Sequence, residues 1–122
     1  TNAGLAGAAG RLMGSGTPAA FTYIAVGTGA TAASSSDTTL GTEITDSGMA
    51  RVSGTVSLVT TTVTNDTAQA TTTFSVTGTK AVTESGILNA ASSGTPLCRQ
   101  VFSAVNVVSG DSLSVTWKVQ QS

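Results

Sequence analysis

The 122-residue sequence contains no histidine, a single cysteine and few charged residues. Charged side chains make up 9% of the chain, against roughly 25% in an average soluble domain. Without histidine no Ser-His-Asp triad can form, and neither a Ser-x-x-Lys nor a Gly-x-Ser-x-Gly motif occurs. The composition therefore predicts a non-enzymatic protein with no catalytic, cofactor-binding or metal-binding residues, whose hydroxyl-rich surface serves contact.

The charge balance and the cysteine count narrow the class of protein further. The net charge is −1 and the five Lys and Arg residues are scattered singly, which argues against nucleic acid as a partner. The lone Cys98 cannot form an intrachain disulfide, which fits an intracellular origin. We interpret Cys98 as a small buried residue, since Arg99 is the one sequence neighbour that could lower its pKa.

Long apolar runs are also missing from the chain. Thr, Ser or Gly interrupts every apolar stretch before it reaches the ~20 residues that a spanning helix requires. No basic segment precedes a continuous apolar stretch, so a secretory signal is not expected. We expect a soluble protein without a membrane partner, with a length that suits one domain.

The segment 1–18 is predicted to be an arm or short helix with a linker, followed by a domain over residues 19–122. Leu5, Leu12 and Met13 recur at helical spacing, with Asn2 as the candidate N-cap and Gly14 just past the end. Glycines weaken this helix, so it needs a surface to lie on. The stretch from Gly14 to residue 18 reads as a flexible joint.

Short β-prone segments separated by Gly- and Ser-rich turns fill the rest of the chain. They predict an all-β fold, an antiparallel β-sandwich of jelly-roll-like type. The clearest element is a long hairpin over residues 49–79 with a turn at residues 65–66. The apolar alternation shifts parity at residues 58–59, which predicts a bulge or a bend between sheets there. A second hairpin pairs residues 87–88 with residues 97–102 through a Ser-Ser-Gly turn at residues 92–94. An irregular stretch is expected up to residue 106, and an alternating strand covers residues 113–119.

Several motifs could indicate a ligand-binding or catalytic site, but a structural role explains each of them better. The glycine pattern of residues 27–32 matches a dinucleotide fingerprint, yet no helical pattern follows it, so we interpret it as a turn. Asp37, Glu43 and Asp46 could hold calcium, but their spacing matches no EF-hand loop. Glu84 and Asp111 could form a glycosidase pair only if the fold brought them together.

Two further motifs raise the question of glycans. Residues 65–67 fit the N-glycosylation triplet, which we interpret as the hairpin turn. Trp117 or Tyr23 could serve a carbohydrate-binding module as a stacking platform. The position of Trp117 in the apolar phase of the last strand favours a core role instead.

Five segments together resemble small structural proteins of tailed bacteriophages. They are YIAVGTG at 23–29, TLGTE at 39–43, TESGILN at 83–89, VFS at 101–103 and VVSGDSLSVTW at 107–117. The resemblance implies a virion component without enzymatic activity. Phage proteins with similar segments include head decoration or cement proteins and tail- or neck-associated proteins.

A decoration protein is the interpretation we favour, because the chain is short and lacks coiled-coil heptads, collagen-like repeats and a receptor-binding tip domain. Such a protein is made in the host cytoplasm and resides on the capsid exterior. It would bind the major capsid protein, and copies of itself as a dimer or trimer, through interfacial burial. Leu5, Leu12 and Met13 are the candidate partner contacts, reaching a neighbouring subunit. A tail or neck component is the alternative.

Overall fold

The computed structural model describes residues 1–16 and 19–121, so residues 17, 18 and 122 lie outside the described part, including the end of the predicted joint. One helix precedes seven strands: α1 Asn2–Met13, β1 Tyr23–Gly27, β2 Val52–Ser53, β3 Thr55–Val59, β4 Thr67–Ser75, β5 Lys80–Leu88, β6 Pro96–Val107 and β7 Ser112–Gln120. Sheet A has the order β2-β1-β5-β6 and sheet B the order β3-β4-β7, with antiparallel pairing throughout. The predicted antiparallel β-sandwich with a short N-terminal helix is confirmed.

The first predicted hairpin is present but shorter than expected. Strands β3 and β4 pair from Thr55 opposite Thr71 to Val59 opposite Thr67. The chain changes sheets at Gly54, between β2 and β3, and not at residues 58–59 as the parity shift suggested. A Cβ at Gly54 would lie 2.9 Å from Cδ1 of Ile24, so glycine permits the crossing.

Asp66 explains why the strand ends at Val59 and does not run on to residue 64. Its carboxylate accepts hydrogen bonds from the amides of Thr61, Thr62 and Val63 at 2.9–3.0 Å. These bonds fold residues 60–66 into a turn, in which Asn65 has a positive φ of 59°. The turn was predicted at the right place, and its bonds take the amides that a longer strand would use.

The second hairpin is longer than predicted, because β5 begins at Lys80 and β6 continues to Val107. Its turn contains Ser93 and Gly94, both with positive φ, as the Ser-Ser-Gly pattern indicated. The stretch predicted to be irregular after Phe102 belongs to β6. Residues 102–104 stand opposite the single residue Thr83, so β6 carries a β-bulge with two extra residues at this point.

The core lies between the sheets and is sealed at one end. Ile24, Val26, Phe74 and Val82 pack between the sheets, and Ile44 and Met49 from the loop 28–51 join them. The backbone of this loop follows the Gly27 end of β1, where the amide of Ile44 donates to the carbonyl of Val26. We call this the closed end of the sandwich. The opposite end, where β1 and β4 begin, we call the open end.

Helix α1 lies beside the open end. Its N-cap is Thr1, whose hydroxyl accepts the amide of Gly4 at 2.9 Å, so the assignment of Asn2 as N-cap is wrong by one residue. Gly14 ends the helix in the left-handed conformation, as predicted. The helix packs on β6 through Gly4, where a Cβ would lie only 2.6 Å from Cα of Leu97.

Candidate functional site

A buried carboxylate on β5 gathers three of the sequence segments that carry the phage resemblance. Glu84 is fully buried and accepts hydrogen bonds from the amides of Gly29 at 2.6 Å, Gly41 at 2.7 Å and Thr42 at 2.8 Å. Both Oε atoms are engaged, and Arg99 on β6 adds a charged donor at 2.9 Å through Nε. Glu84 thereby ties the loop 28–51 to sheet A.

Arg99 extends this cluster to the far part of the loop. Its side chain is 2% exposed and also contacts Oδ2 of Asp37 at 3.0 Å and the carbonyl of Thr31 at 2.8 Å. Thr83 donates its hydroxyl to the carbonyl of Gly29 at 2.8 Å. The guanidinium therefore bridges the two carboxylates, and together these bonds hold the loop over the outer face of sheet A.

The electrostatics of Glu84 follow from these bonds. Burial alone would raise the pKa of Glu84, but the amides of Thr42, Gly41 and Gly29 together with Arg99 outweigh it and hold the pKa below its ordinary value. The amides approach this closely because glycine stands at Gly29, where a Cβ would overlap Oε2. The glycine pattern of residues 27–32 serves this carboxylate, and no helix follows it in residues 28–51.

The acidic residues considered as a calcium site are separated by their partners. Asp37 pairs with Arg99, Glu43 with Arg51 at 2.6 Å, and Asp46 with Lys80 at 3.0 Å. Within residues 1–16 and 19–121 no group of three or more metal-ligating side chains is placed to hold an ion.

The imagined glycosidase pair consists of residues with unrelated structural roles. Glu84 is buried on β5, whereas Asp111 lies in the β6–β7 turn, where Oδ2 accepts the amide of Val108 at 2.8 Å. Cys98 is half-buried, and burial raises the pKa of its thiol, which opposes nucleophilic reactivity.

Neither aromatic candidate for sugar stacking stands free on the surface. Trp117 packs against the core between the sheets, and its Nε1 donates to Oγ of Ser85 at 3.0 Å. Tyr23 packs against the small cluster of Ala25, Leu40 and Leu88 on the outer face of sheet A. Both rings are half-buried, as the core interpretation of Trp117 predicts.

An apolar groove of about 610 Å³ lies between the sheets at the open end. Its floor consists of two rows across the inner face of sheet B, which follow from the strand register: Val56, Ala70 and Trp117, then Leu58, Ala68 and Val119. Phe21, Ile87 and Leu97 line it from the side of sheet A. Val56 and Leu58 point along the core face of their sheet yet remain 55% and 63% exposed.

The helix adds further apolar surface next to this groove. Leu5, Leu12 and Met13 are 69%, 84% and 80% exposed, because the helix presents Gly4 and Gly7 to the body of the protein. The three predicted contact residues are thus together on the outside of α1. With Val56 and Leu58 they form what we call the open-end patch.

A second apolar surface follows the free edge of sheet A. Among the described strands β6 pairs only with β5, and Phe102 and Val105 are partly exposed along it. A cleft of about 250 Å³, lined by these two residues, Leu113 and Val115, opens between β6 and β7. We call Phe102 and Val105 the edge patch.

Comparison with known proteins gives no relative: no family model, curated protein or solved structure matches this chain. In the described residues no helix reaches the length and apolar character needed to cross a bilayer.

Sequence reasoning missed the Glu84–Arg99 pair and the exposure of Val56 and Leu58. A charge on each of two neighbouring β-prone segments was the available signal for the pair. The exposure of Val56 and Leu58 carried no signal, since their alternation is that of a core strand.

Proposed function

We propose that this chain is a non-enzymatic structural protein of a tailed-phage virion, a capsid decoration protein that binds the major capsid protein lattice and stabilises the shell. The observation that carries the proposal is that two exposed apolar patches lie on a body in which charged residues are few, 9% of the chain. Monomeric soluble proteins seldom leave such surfaces uncovered. The sequence resemblance to small phage structural proteins is the reason for proposing a phage virion as the particle to which the chain binds.

The buried ion cluster supports a role that demands rigidity. The charged groups of Glu84, Arg99 and Asp37 form ion pairs with one another and hydrogen bonds with loop amides. Their contribution is to fix the loop 28–51 on sheet A. A body fixed in this way loses little conformational entropy when it docks, which favours binding.

The edge patch is the surface we assign to the shell. The free edge of β6 presents backbone N–H and C=O groups that an extended segment of another chain can pair with. Phe102 and Val105 add apolar contact beside them, and no charged residue occurs in residues 100–107. Each contact is modest, but repetition over a shell gives a large total stabilisation.

The proposal is tested on intact particles. Quantitative mass spectrometry is expected to find many copies, in a fixed ratio to the major capsid protein. A low copy number that follows the tail proteins would assign the chain to the tail or neck instead. Absence from purified particles would overturn the whole proposal.

A binding assay on undecorated shells tests the assigned surface. The double variant Phe102→Gln and Val105→Gln is expected to lose most of its occupancy, because the apolar part of the contact is removed. Val108→Gln is the matched control, since Val108 is similarly exposed but lies in the β6–β7 turn. Equal occupancy of wild type and double variant would show that another surface docks.

A further inference from the structure

We propose that the open-end patch is a self-association surface, in which α1 of one copy lies in the groove of a second copy and the reverse. The inference deepens the proposed function by naming one partner, and it rests on that function only for its use in the particle. Five exposed side chains and one groove carry the argument.

The groove exposes a surface that the strand pattern builds as core. The rows of Val56 and Leu58 belong to the same inner face of sheet B that is covered by sheet A further along. At the closed end Ile44 and Met49 from the loop 28–51 fill the equivalent space. Among the described residues no segment does so at the open end. An inner sheet face left open in this way favours a protein partner.

The helix presents the reverse of the usual amphipathic arrangement. A surface helix normally turns its large apolar side chains to the body of the protein. Here Gly4 and Gly7 take that position, with a Cβ at Gly7 placed 2.8 Å from the ring of Phe21. Leu5 and Leu12, seven residues apart, therefore share the outer face. The close glycine contacts fix which face is outward.

The dimensions of the two surfaces agree. A helix of 12 residues is about 18 Å long, and three strands of sheet B span roughly 14 Å. A helix laid across the floor of the groove therefore covers all three strands. The side chains of two leucines and a methionine occupy roughly 300 Å³ at protein packing density, which a groove of about 610 Å³ accommodates with room for the helix backbone.

A second copy is the partner that matches both surfaces at once. Arg11 of α1 lines the groove, so the projecting helix face and the groove that can receive it are neighbours on one end of the molecule. A patch with a projection beside a matching hollow is self-complementary, which a two-fold dimer requires. The net charge of −1 offers little repulsion between copies.

Sedimentation velocity of the purified full chain tests the inference. Wild type is expected to be a dimer in reversible equilibrium with monomer. The helix variant Leu5→Gln, Leu12→Gln, Met13→Gln and the groove variant Val56→Gln, Leu58→Gln are each expected to raise the dissociation constant about a hundredfold or more, because the apolar burial is lost. Val108→Gln is expected to dimerise as wild type does.

Mixing the two variants separates this geometry from other dimers. The groove variant keeps a wild-type helix and the helix variant keeps a wild-type groove, so a mixture can form one of the two contacts. We expect a heterodimer in the mixture although each variant alone is monomeric. A groove variant that dimerises unaided would show that the helices contact one another and would overturn the pairing.

Circular dichroism shows whether a variant that fails to dimerise is still folded. Circular dichroism spectra of both variants are expected to match wild type, since all substituted side chains are more than half exposed. A wild-type chain that stays monomeric at high concentration overturns the inference, whatever it does on particles. Wild-type dimers that fail to bind shells would overturn the proposed function and leave the self-association intact.

Discussion

The two ends of the sandwich are built from the same strands but completed in opposite ways. At the closed end Ile44 and Met49 from the loop 28–51 fill the space between the sheets and are almost fully buried. At the open end Val56 and Leu58 occupy the corresponding inner face and are more than half exposed. The difference teaches that the fold supplies its own cover for one end and, in the described residues, leaves apolar side chains of the other end exposed, which is where we propose that a second copy docks.

The cover of the closed end is held by polar bonds as well as by apolar packing. Glu84 accepts hydrogen bonds from three loop amides at this end. Arg51, in the same loop, pairs with Glu43 and reaches the carbonyls of Ala90 and Ser93 in the β5–β6 turn, at the other end of sheet A. At the open end, α1 is attached through its first turn: the N-terminal ammonium donates to the carbonyl of Leu97 at 2.8 Å, and the amide of Asn2 donates to the carbonyl of Ser35 in the loop 28–51 at 2.7 Å.

Breaking the attachment of the loop is expected to have the largest effect on stability. Glu84→Gln leaves Arg99 buried beside one carboxylate only and should lower the free energy of unfolding by about 3 kcal/mol. Urea unfolding measures the loss. The control is Asp46→Asn, which removes an exposed ion pair with Lys80 and should change the midpoint little. Equal losses would show that burial of the cluster does not matter.

The apolar residues of the two ends should differ sharply when truncated. Met49→Ala opens a cavity in a fully buried site and should cost about 2–4 kcal/mol. Leu58→Ala should cost no more than about 0.5 kcal/mol in dilute, monomeric protein, because the side chain already contacts water. Urea unfolding at low protein concentration compares them. A comparable loss for Leu58→Ala would mean that the open end is closed in the free chain.

How much of this could be predicted from sequence depends on the kind of interaction. The turns at Asn65–Asp66 and at Gly94, and the alternating strand that holds Trp117, follow from local chemistry and were predicted. The partner of Glu84 did not follow, because it is set by the register of β5 against β6 and by the loop that lies over them.

For the helix, too, local sequence predicts the element but not its tertiary contacts. Its existence and its C-terminal Gly14 were readable from spacing and capping. Its orientation was not, since close packing at Gly4 competes with burial of Leu5 and Leu12, and tertiary contact decides the outcome.

Acid should weaken the bonds by which Glu84 holds the loop 28–51 at the closed end. The pKa of Glu84 is lowered in the folded protein from its ordinary value of 4.5, so its stabilisation is complete above that value and is lost as the pH falls below it. The gap in unfolding free energy between wild type and Glu84→Gln should therefore shrink between about pH 6 and about pH 3. Urea midpoints across this range measure the gap, and a constant gap would contradict the electrostatic account.

Salt should have the smallest effect, and it applies to the open end. The open-end patch consists of five uncharged side chains, and Arg11 is the one charged residue among those that line the groove, so screening has little to act on. The dissociation constant of the dimer should change less than about threefold between about 0.05 M and about 0.5 M salt. Sedimentation at both salt concentrations checks this, and strong weakening by salt would indicate a charged interface.

The two methionines of the chain provide the most direct test, because Met49 lies at the closed end and Met13 at the open end. Mild peroxide oxidises accessible methionine to the sulfoxide, and mass spectrometry reports both residues in one sample. In dilute protein Met13 should oxidise readily and Met49 should be protected. As the concentration rises into the dimer range, Met13 should become protected while Met49 stays unchanged. Oxidation of Met13 at the same rate in the concentrated sample would contradict the claim that a second copy covers the open end.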